Sequence, residues 1–380
     1  MNPLRQKIGR EIRERGPIPF SRYMELSLYD PELGYYSRNA EQFGKAGDFY
    51  TSSDVHAVFG RLLARQFEEM WRVLGSPERI ELVELGPGRG LFAQDVLSWA
   101  ENKLPEFFSA VRYVLVESSP VLRHRIETTL RNYLDSGKVE LRADLPAADK
   151  VNKGDTIVFA NEFFDALPVD VLRTKGALRI DVVNDRFVET WTQVSAEELG
   201  FVDRYSVHPE ADERVEVNLA AQRFMDGIAG GMQRGFLIVI DYGYTREEQL
   251  AGRHRGTIKA LRQHSVSANP YEAPGEQDIT ADVNFSALAA SAEKHGMQTH
   301  KLITQSQFLL GIGEANEFWD AFGECRMPQE RAKVALQLKH LVTPAGMGES
   351  FHVLVGCKGV EQDRMESLSG LSFGRRKGAR

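Results

Sequence analysis

The chain has 380 residues, of which 42% are hydrophobic and 27% are charged, and its formal net charge is −7. This composition is typical of a soluble globular protein, and the negative charge disfavours a nucleic-acid-binding protein that relies on overall electrostatic attraction. Cys325 and Cys357 are the only cysteines and form no Cys-x-x-Cys motif, so we expect neither a disulfide framework nor a metal site.

The sequence also lacks a targeting pattern. No apolar run is long enough to span a membrane. The first residues mix basic side chains with Glu11 and Glu14 and contain no apolar segment of the kind found in secretion signals. We therefore expect a cytoplasmic protein of a bacterium, without a membrane span.

The first 75 residues have a mostly helical pattern. Leu4, Ile8 and Ile12 fall on one face of a helix, which the Gly16-Pro17 pair would end. A second helical pattern begins near Phe20. We predict an N-terminal helical region over residues 1–75.

Strand and helix patterns alternate after residue 75. We predict strands at 80–85, 113–117, 138–141, 156–161 and 236–241, with helices at 91–100, 120–133 and 220–232. Such alternation predicts an α/β fold with a mostly parallel sheet that is covered by helices on both faces. Ligands of such folds bind beyond the carboxyl ends of the strands, so the residues there are the candidate site residues.

The first strand ends in the most informative motif of the chain, the run from Ile80 to Gly90 (IELVELGPGRG). Glycines in such a turn let the backbone approach a ligand closely and adopt positive φ. The spacing is G-x-G-x-G, and Glu84 would repel the pyrophosphate of a dinucleotide. A carboxylate suits a ligand with cationic groups, such as S-adenosylmethionine. The alternative is an ordinary strand-to-helix turn that happens to be rich in glycine.

Acidic residues also follow the second and third strands. Glu117 could accept the two hydroxyl groups of a ribose, with Ser118 beside it. The alternative, compatible with the first, is that Ser118 or Ser119 caps a helix that begins at Pro120. Asp144 could accept a hydrogen bond from an adenine amino group, or it could be an ordinary turn aspartate.

The fourth strand ends in the run NEFFDALP, residues 161–168. Asn161, Glu162 and Asp165 stand beside two phenylalanines, which predicts a partly desolvated polar pocket. Buried carboxylates need donors or a cation, and a guanidinium pairs with carboxylate through two parallel hydrogen bonds. The alternative is a helix start at which Asn161 is the cap and Glu162 faces the helix dipole.

The fifth strand ends in Asp241, followed by Gly243, and the polar stretch from 243 to 280 follows. A stretch of this length without clear periodicity is typical of a functional loop. It contains His264, which we consider for substrate binding, although a lone loop histidine is more often structural. We predict a substrate-binding cover in this region.

With these motifs assembled, the chain resembles the MidA-like S-adenosylmethionine-dependent methyltransferases, whose mitochondrial members are protein arginine methyltransferases and complex I assembly factors. The resemblance extends over most of the chain apart from its tail. It rests on eight segments, which are residues 17–37, 43–60, 83–90 (VELGPGRG), 161–169 (NEFFDALPV), 240–244 (IDYGY), 256–264 (GTIKALRQH), 270–280 (PYEAPGEQDIT) and 308–313 (FLLGIG). The sequence departs from many relatives at Asp282 and Asn284, where those have histidine and aspartate.

The resemblance implies a division of the chain. It implies a seven-stranded Rossmann-like class I methyltransferase sheet with an N-terminal helical region and an inserted cap. The expected parts are the helical region 1–75, a first core part 76–245 with a β-rich insertion at about 169–205, a cap or lid at 246–284, core completion at 285–360, and a flexible tail at 361–380.

The resemblance also implies site roles. Gly86, Gly88 and Gly90 would form the cofactor turn and Glu117 would bind the ribose, while Asp48 and Thr51 would belong to the mouth of the site. We add Glu84, Ser118, Asp144 and Asn161 to the residues expected around S-adenosyl-L-methionine. The expected catalytic residues are Asn161, Glu162 and Asp165, and the expected substrate-binding residues are Asp48, Thr51 and His264.

The implied reaction is methyl transfer to an arginine of a partner protein, which in mitochondrial members is a subunit of respiratory complex I. A homodimer is among the expected assemblies, and no nucleic-acid partner is expected. Three alternatives stay open at this point. The chain could be a dehydrogenase that binds a dinucleotide, a non-catalytic assembly factor that binds the cofactor, or a methyltransferase for a small molecule or nucleic acid.

Overall fold

The computed structural model describes residues 2–37, 57–144, 154–262, 265–267 and 269–373. Three predicted substrate-binding residues, Asp48, Thr51 and His264, therefore lie outside the described residues.

A nine-stranded mixed sheet forms the centre of the fold. Its strands are β2 (Ile80–Leu85), β3 (Val111–Val116), β4 (Val139–Arg142), β5 (Asp155–Asn161), β10 (Arg234–Tyr244), β14 (Val283–Asn284), β15 (Gln298–Thr299), β16 (Ile303–Thr304) and β17 (Phe351–Lys358). The main strands are hydrogen-bonded in the order β15, β17, β10, β5, β2, β3, β4, with β14 beside β10 and β16 beside β17. Strands β4, β3, β2, β5 and β10 are mutually parallel, whereas β17 is antiparallel to β10.

The sheet differs from the seven strands expected. Seven strands form the hydrogen-bonded path, and β14 and β16 lie off it. Residues 298–304 contribute two short strands, β15 and β16, which pair with different parts of β17.

Helices cover both faces of this sheet, and successive side chains of each strand face the two layers in turn. The helices of these two layers are α3 (Ala57–Val73), α4 (Leu91–Lys103), α5 (Pro105–Ala110), α6 (Pro120–Thr129), α7 (Arg131–Asp135), α9 (Leu219–Gly231), α11 (Phe285–Lys294), α12 (Gln305–Glu314), α13 (Trp319–Phe322) and α14 (Pro328–Val342). In β2, Leu82 packs with α3–α5, and Val83 packs on the opposite face with α9 and α11. The helix predicted over 120–133 breaks at Leu130, which separates α6 from α7.

The N-terminal helices pack against a second, antiparallel sheet. Helices α1 (Pro3–Arg15) and α2 (Phe20–Tyr29) bury one face each, including the predicted Leu4, Ile8 and Ile12. Their partner sheet contains β1 (Ile18–Pro19), β6 (Asp170–Arg173), β7 (Gly176–Val183), β8 (Arg186–Thr192) and β9 (Val215–Val217), beside α8 (Ala196–Tyr205). The region 1–75 is thus divided, because α3 packs in the main core instead.

The region 246–284 begins with α10 (Arg246–Leu250) and contains a small antiparallel sheet. Its strands are β11 (Lys259–Arg262), β12 (Ser265–Ser267) and β13 (Asp278–Thr280). Buried Ala260 and Ile279 join the core around α1 and α2. This small sheet is therefore attached to the N-terminal helices.

The prediction of a flexible tail from residue 361 is wrong for residues 362–371. Helix α15 (Gln362–Glu366) and the 3₁₀ turn Ser369–Leu371 pack on the main core, where Met365 and Leu371 are buried. The Gly370 N–H donates to Gln66 Oε1 at 2.9 Å. Three apolar residues of this segment, Met365, Leu368 and Leu371, stand among polar residues in the sequence and pack against α3 and α12.

Among the described residues, no helix is both long and apolar enough to cross a bilayer.

Candidate functional site

The carboxyl ends of five parallel strands, β4, β3, β2, β5 and β10, meet at one edge of the central sheet. A cavity of about 590 Å³ opens there. Its wall includes residues that follow β2, β3, β4 and β5, together with residues of α2, the 3₁₀ turn Tyr35–Ser37, α9 and β13. Its volume falls in the range of small-molecule sites.

The glycine turn forms one side of this cavity. Gly86 and Gly88 have φ values of 62° and 54°, which glycine adopts without strain. A Cβ atom built on Gly88 would meet nothing within 4 Å, so this backbone faces open space. A Cβ on Gly86 would come within 2.9 Å of the Phe163 ring, which links the turn to the acidic loop after β5.

Gly90 has a different place from the one predicted. It lines no part of the cavity and is the left-handed N-cap of α4, with a φ of 76°. A Cβ there would lie 3.3 Å from Leu130 and 3.4 Å from Ile126 of the neighbouring helical segment. The third glycine of the motif therefore serves close packing.

Glu84 lies under the turn at the end of β2 and is buried. The Tyr113 hydroxyl donates to its Oε2 at 2.9 Å. Burial raises the pKa of Glu84 to about 8, and the Tyr113 hydrogen bond partly opposes this shift. A cationic ligand in the cavity would favour the ionised form.

Glu117 stands at the end of β3 with its carboxylate fixed. Its Oε1 accepts the N–H of Ser119 at 2.8 Å. Burial raises the pKa of Glu117 to about 7, while the amide donors and Arg123 lower it. The residue that caps α6 is Ser119, whose hydroxyl accepts the Leu122 N–H. Glu117 and Ser118 line the cavity, so the cap and the ribose candidate are separate residues.

Asp144 follows β4 and lines the cavity next to Ala143. Glu84, Gly88, Glu117 and Asp144 thus all line the cavity at or after the ends of the neighbouring strands β2, β3 and β4, and we call this part of the lining its first arm. This arm combines two buried carboxyl groups, an open glycine backbone and the apolar wall of Leu91 and Leu122. The arrangement fits an adenosine derivative with a cationic group.

The residues after β5 form an acidic loop, defined here as residues 161–166. No helix begins there, so the alternative in which Asn161 caps a helix is wrong. The Asn161 side-chain amide donates to Glu162 Oε1 at 3.1 Å. Glu162 has a φ of 50°, an uncommon value for a residue with a side chain. Asn161, Glu162 and Asp165 all line the cavity.

Asp165 is buried, and four effects raise its pKa. The first is burial, and the others are the negative charges of Asp241, Glu162 and Asp278. The Ala281 N–H donates to the Asp165 backbone carbonyl at 3.0 Å, which attaches the acidic loop to the segment after β13. A cation that entered the cavity would lower the cost of ionising this group.

The sequence interpretation missed the opposite wall of the cavity. Tyr29, Tyr36 and Asp278 line it, and the Tyr36 hydroxyl donates to Asp278 Oδ1 at 3.0 Å. The Tyr29 hydroxyl donates to the Ala166 carbonyl at 2.9 Å. Burial raises the pKa of both tyrosines, so they are neutral donors. The sequence signals were the aromatic run after Gly34 and the predicted substrate-binding cover over 243–280, and neither of them singled out these three residues.

Charged groups surround the outer part of the cavity. Arg22 donates to Glu11 Oε1 at 3.0 Å and to Glu25 Oε2 at 2.8 Å. The Ser21 hydroxyl donates to Asp170 Oδ1 at 2.7 Å. Glu25 and Asp170 thus line the cavity together with the acidic loop, and we call this part of the lining its second arm. Arg22 also lines it and pairs with Glu25.

The comparisons with known proteins agree on one family. A family model for S-adenosyl-L-methionine-dependent methyltransferases matches residues 62–303. The mitochondrial protein arginine methyltransferase NDUFAF7 homolog of Drosophila melanogaster is 30% identical, with 97% of this chain and 88% of the relative covered. The mitochondrial protein arginine methyltransferase NDUFAF7 of Danio rerio is also 30% identical, with 90% and 84% covered.

A crystal structure of a protein from Burkholderia thailandensis is similar over nearly its whole length. It superposes with a TM-score of 0.83 at 27% identity and covers 97% of this chain and 94% of that chain. That structure contains bound S-adenosyl-homocysteine. S-adenosyl-L-methionine is accordingly the cofactor of the family, and the fold is the α/β fold of these methyltransferases.

Proposed function

The chain belongs to the MidA-like family of S-adenosyl-L-methionine-dependent methyltransferases, and from that premise we propose that it methylates arginine on a partner protein. The observation that carries this proposal is the position of Glu162, Asp165 and Asp278 around one arm of the cavity, beside the glycine turn. Carboxylates in such a place suit a guanidinium, which presents a planar set of N–H donors.

We propose that the other arm holds the cofactor. Gly86 and Gly88 let its backbone pass, Glu117 and Ser118 receive the ribose, and Asp144 receives the adenine amino group. Glu84, under the turn, interacts with the cationic methionine end. The relatives named as protein arginine methyltransferases support the choice of arginine over other acceptors.

The proposed chemistry is an in-line displacement. The bound cofactor supplies the methyl group of its sulfonium. A new carbon–nitrogen bond forms at the guanidinium as the carbon–sulfur bond breaks, and one proton leaves the nitrogen. Glu162 and Asp165 orient the guanidinium and draw its positive charge away from the attacking nitrogen, because arginine is protonated at neutral pH.

Two further parts of the family pattern belong to this proposal. We propose that Asp48, Thr51 and His264, which lie outside the described residues, take part in substrate binding. We also propose that the seven-strand path is the core of the fold, with 246–284 as its cap.

Replacing Glu162 tests the catalytic role directly. Glu162→Gln should slow transfer of a labelled methyl group to protein arginine by the equivalent of about 2–5 kcal/mol, since one charge partner of the guanidinium is lost. Binding of S-adenosyl-homocysteine, measured by calorimetry, should persist because Glu162 belongs to the acceptor arm.

The matched control is Glu101→Gln, which changes an exposed glutamate of α4 outside the cavity. Wild-type rates in that variant and a loss in Glu162→Gln would support the proposal. Full transfer by Glu162→Gln with the cofactor bound would refute it. Binding without transfer by the wild type would favour a non-catalytic assembly factor.

A further inference from the structure

A buried aspartate that lines no part of the cavity holds the acidic loop. Asp241 lies at the end of β10 with 0% of its surface exposed. Its Oδ2 accepts the N–H groups of three consecutive residues, at 3.2 Å from Phe163, 2.9 Å from Phe164 and 3.2 Å from Asp165. Its Oδ1 accepts the N–H of Tyr242 at 2.9 Å.

These contacts fix the loop at several points. The Glu162 N–H donates to the Ile240 carbonyl at 2.9 Å, immediately before the three donors to Asp241. Both attachments therefore come from β10. The positive φ of Glu162 costs free energy, and such a conformation persists only where its surroundings fix it. Asp241 and the Ile240 carbonyl supply that constraint.

We propose that Asp241 is a positioning residue for methyl transfer, which holds the Glu162 and Asp165 carboxylates where they receive the guanidinium of the substrate. This inference rests on the proposed function. It adds to it a residue that touches neither cofactor nor substrate and acts through the backbone of the acidic loop.

Both oxygens of the Asp241 side chain act as acceptors here, although burial and the negative charge of Glu162 raise the pKa of this carboxyl group. Four amide N–H groups donate to its two oxygens, and such donors stabilise the negative charge against the cost of burial. An asparagine has the same shape but only one acceptor oxygen. Its NH₂ group would therefore face either the Tyr242 N–H or the three loop N–H groups.

The test compares the wild type with Asp241→Asn in the full chain. We expect kcat for methyl transfer to fall by about 100-fold, because a misplacement of about 1 Å at catalytic groups has this effect. The dissociation constant for S-adenosyl-homocysteine should stay at the wild-type value, since the hydrogen bonds that Asp241 accepts come from the acidic loop and Tyr242 and none of them from the glycine turn or Glu117. Hydrogen exchange at the amides of residues 163–165 should accelerate.

Asp320→Asn is the matched control for lost stability. Asp320 is also 0% exposed and lies in a polar network. Its carboxylate accepts hydrogen bonds from Arg65 Nε–H at 3.1 Å and from Trp99 Nε1–H at 3.1 Å. None of these residues lines the cavity. This variant should unfold more easily and yet keep the wild-type kcat at temperatures where it is folded.

Each outcome decides the inference. A large loss of kcat in Asp241→Asn with unchanged cofactor affinity supports it. A wild-type kcat in Asp241→Asn overturns it, and so does an equal loss in both variants or a parallel loss of cofactor affinity. Failure of the wild type to methylate arginine contradicts the proposed function instead, and the same comparison then applies with the acceptor that the wild type does methylate.

Discussion

Single residues of the glycine turn have separate roles in the structure. Gly88 faces open cavity space, Gly86 faces Phe163, and Gly90 packs against α6 and Leu130. All three have positive φ. The motif therefore combines a backbone requirement common to the three glycines, positive φ, with a requirement for space, which is open cavity at Gly88 and close packing at Gly86 and Gly90.

Gly88→Ala separates these two requirements. The added methyl group costs about 1–2 kcal/mol of backbone strain and projects into the cavity. We expect the affinity for S-adenosyl-homocysteine, measured by calorimetry, to fall by tenfold or more, which is about 1.4 kcal/mol.

Gly137→Ala is the control for this strain. Gly137 has a φ of 72°, and a Cβ there would also meet nothing within 4 Å, but it is exposed and outside the cavity. The two variants should lose similar unfolding free energy. Equal affinity for the ligand in both would show that Gly88 has no part in binding.

Glu84 should make stability depend on pH. Its pKa is raised from 4.5 to about 8, so the folded protein without ligand holds a proton that the unfolded chain releases between these values. Stability from this group is present below pH about 4.5 and is lost as pH rises towards about 8, by at most about 1.4 kcal/mol per pH unit.

The comparison with Glu84→Gln measures this effect. The free energies of unfolding of wild type and variant are compared in denaturant titrations at pH 5 to 8. As pH rises, the wild type should become less stable relative to Glu84→Gln. A difference that stays constant over that range would contradict the raised pKa. Exposed Glu101→Gln should give no such trend.

At this scale the sequence located the cavity residues that follow the strand ends better than those that come from other parts of the chain. Glu84, Gly86 and Gly88 are neighbours in the chain, and a strand followed by glycines has a defined geometry. Tyr36 and Asp278 form a hydrogen bond across 242 positions, and no local pattern connects them. The sequence shows that Asp241 is an acidic residue at a predicted strand end. The hydrogen bonds that it accepts from three loop N–H groups depend on β5 and β10 being adjacent, which the sequence does not show.

The elements of the fold follow from local pattern where the pattern is strong. The predicted strands 80–85 and 156–161 match β2 and β5 closely because their runs are apolar and bounded by turns. The C-terminal segment differs. Its apolar residues Met365, Leu368 and Leu371 are spaced among polar residues, and they become buried only because α3 and α12 pack against them. Tertiary contact, and not propensity, orders this segment.

Met365→Ala tests whether α15 stabilises the protein. Met365 is 0% exposed, so truncation should lower the free energy of unfolding by about 2–5 kcal/mol. Arg364→Ala, which changes the exposed neighbour, should have little effect. Equal denaturation midpoints for Met365→Ala and the wild type would show that this segment does not contribute.

At the scale of the whole molecule, two groups of residues with different chemistry line one cavity. The central sheet supplies the glycine turn and the carboxyl groups of the proposed cofactor arm, whereas α2, β13 and the acidic loop supply the proposed acceptor arm. The N-terminal helices and the small sheet of 259–280 share a core, so the far wall is a packed part of the fold. A substrate side chain would thus meet the cofactor between two structured walls.

The most direct test of this account is the chemical identity of the methylated product. The wild-type protein is incubated with S-adenosyl-L-methionine that carries a labelled methyl group and with a protein extract from cells that lack this chain, and the labelled protein is hydrolysed to amino acids for mass spectrometry. If the protein methylates arginine as proposed, we expect the label in methylated arginine. Label confined to lysine, to another side chain or to small molecules, with none in arginine, would contradict it.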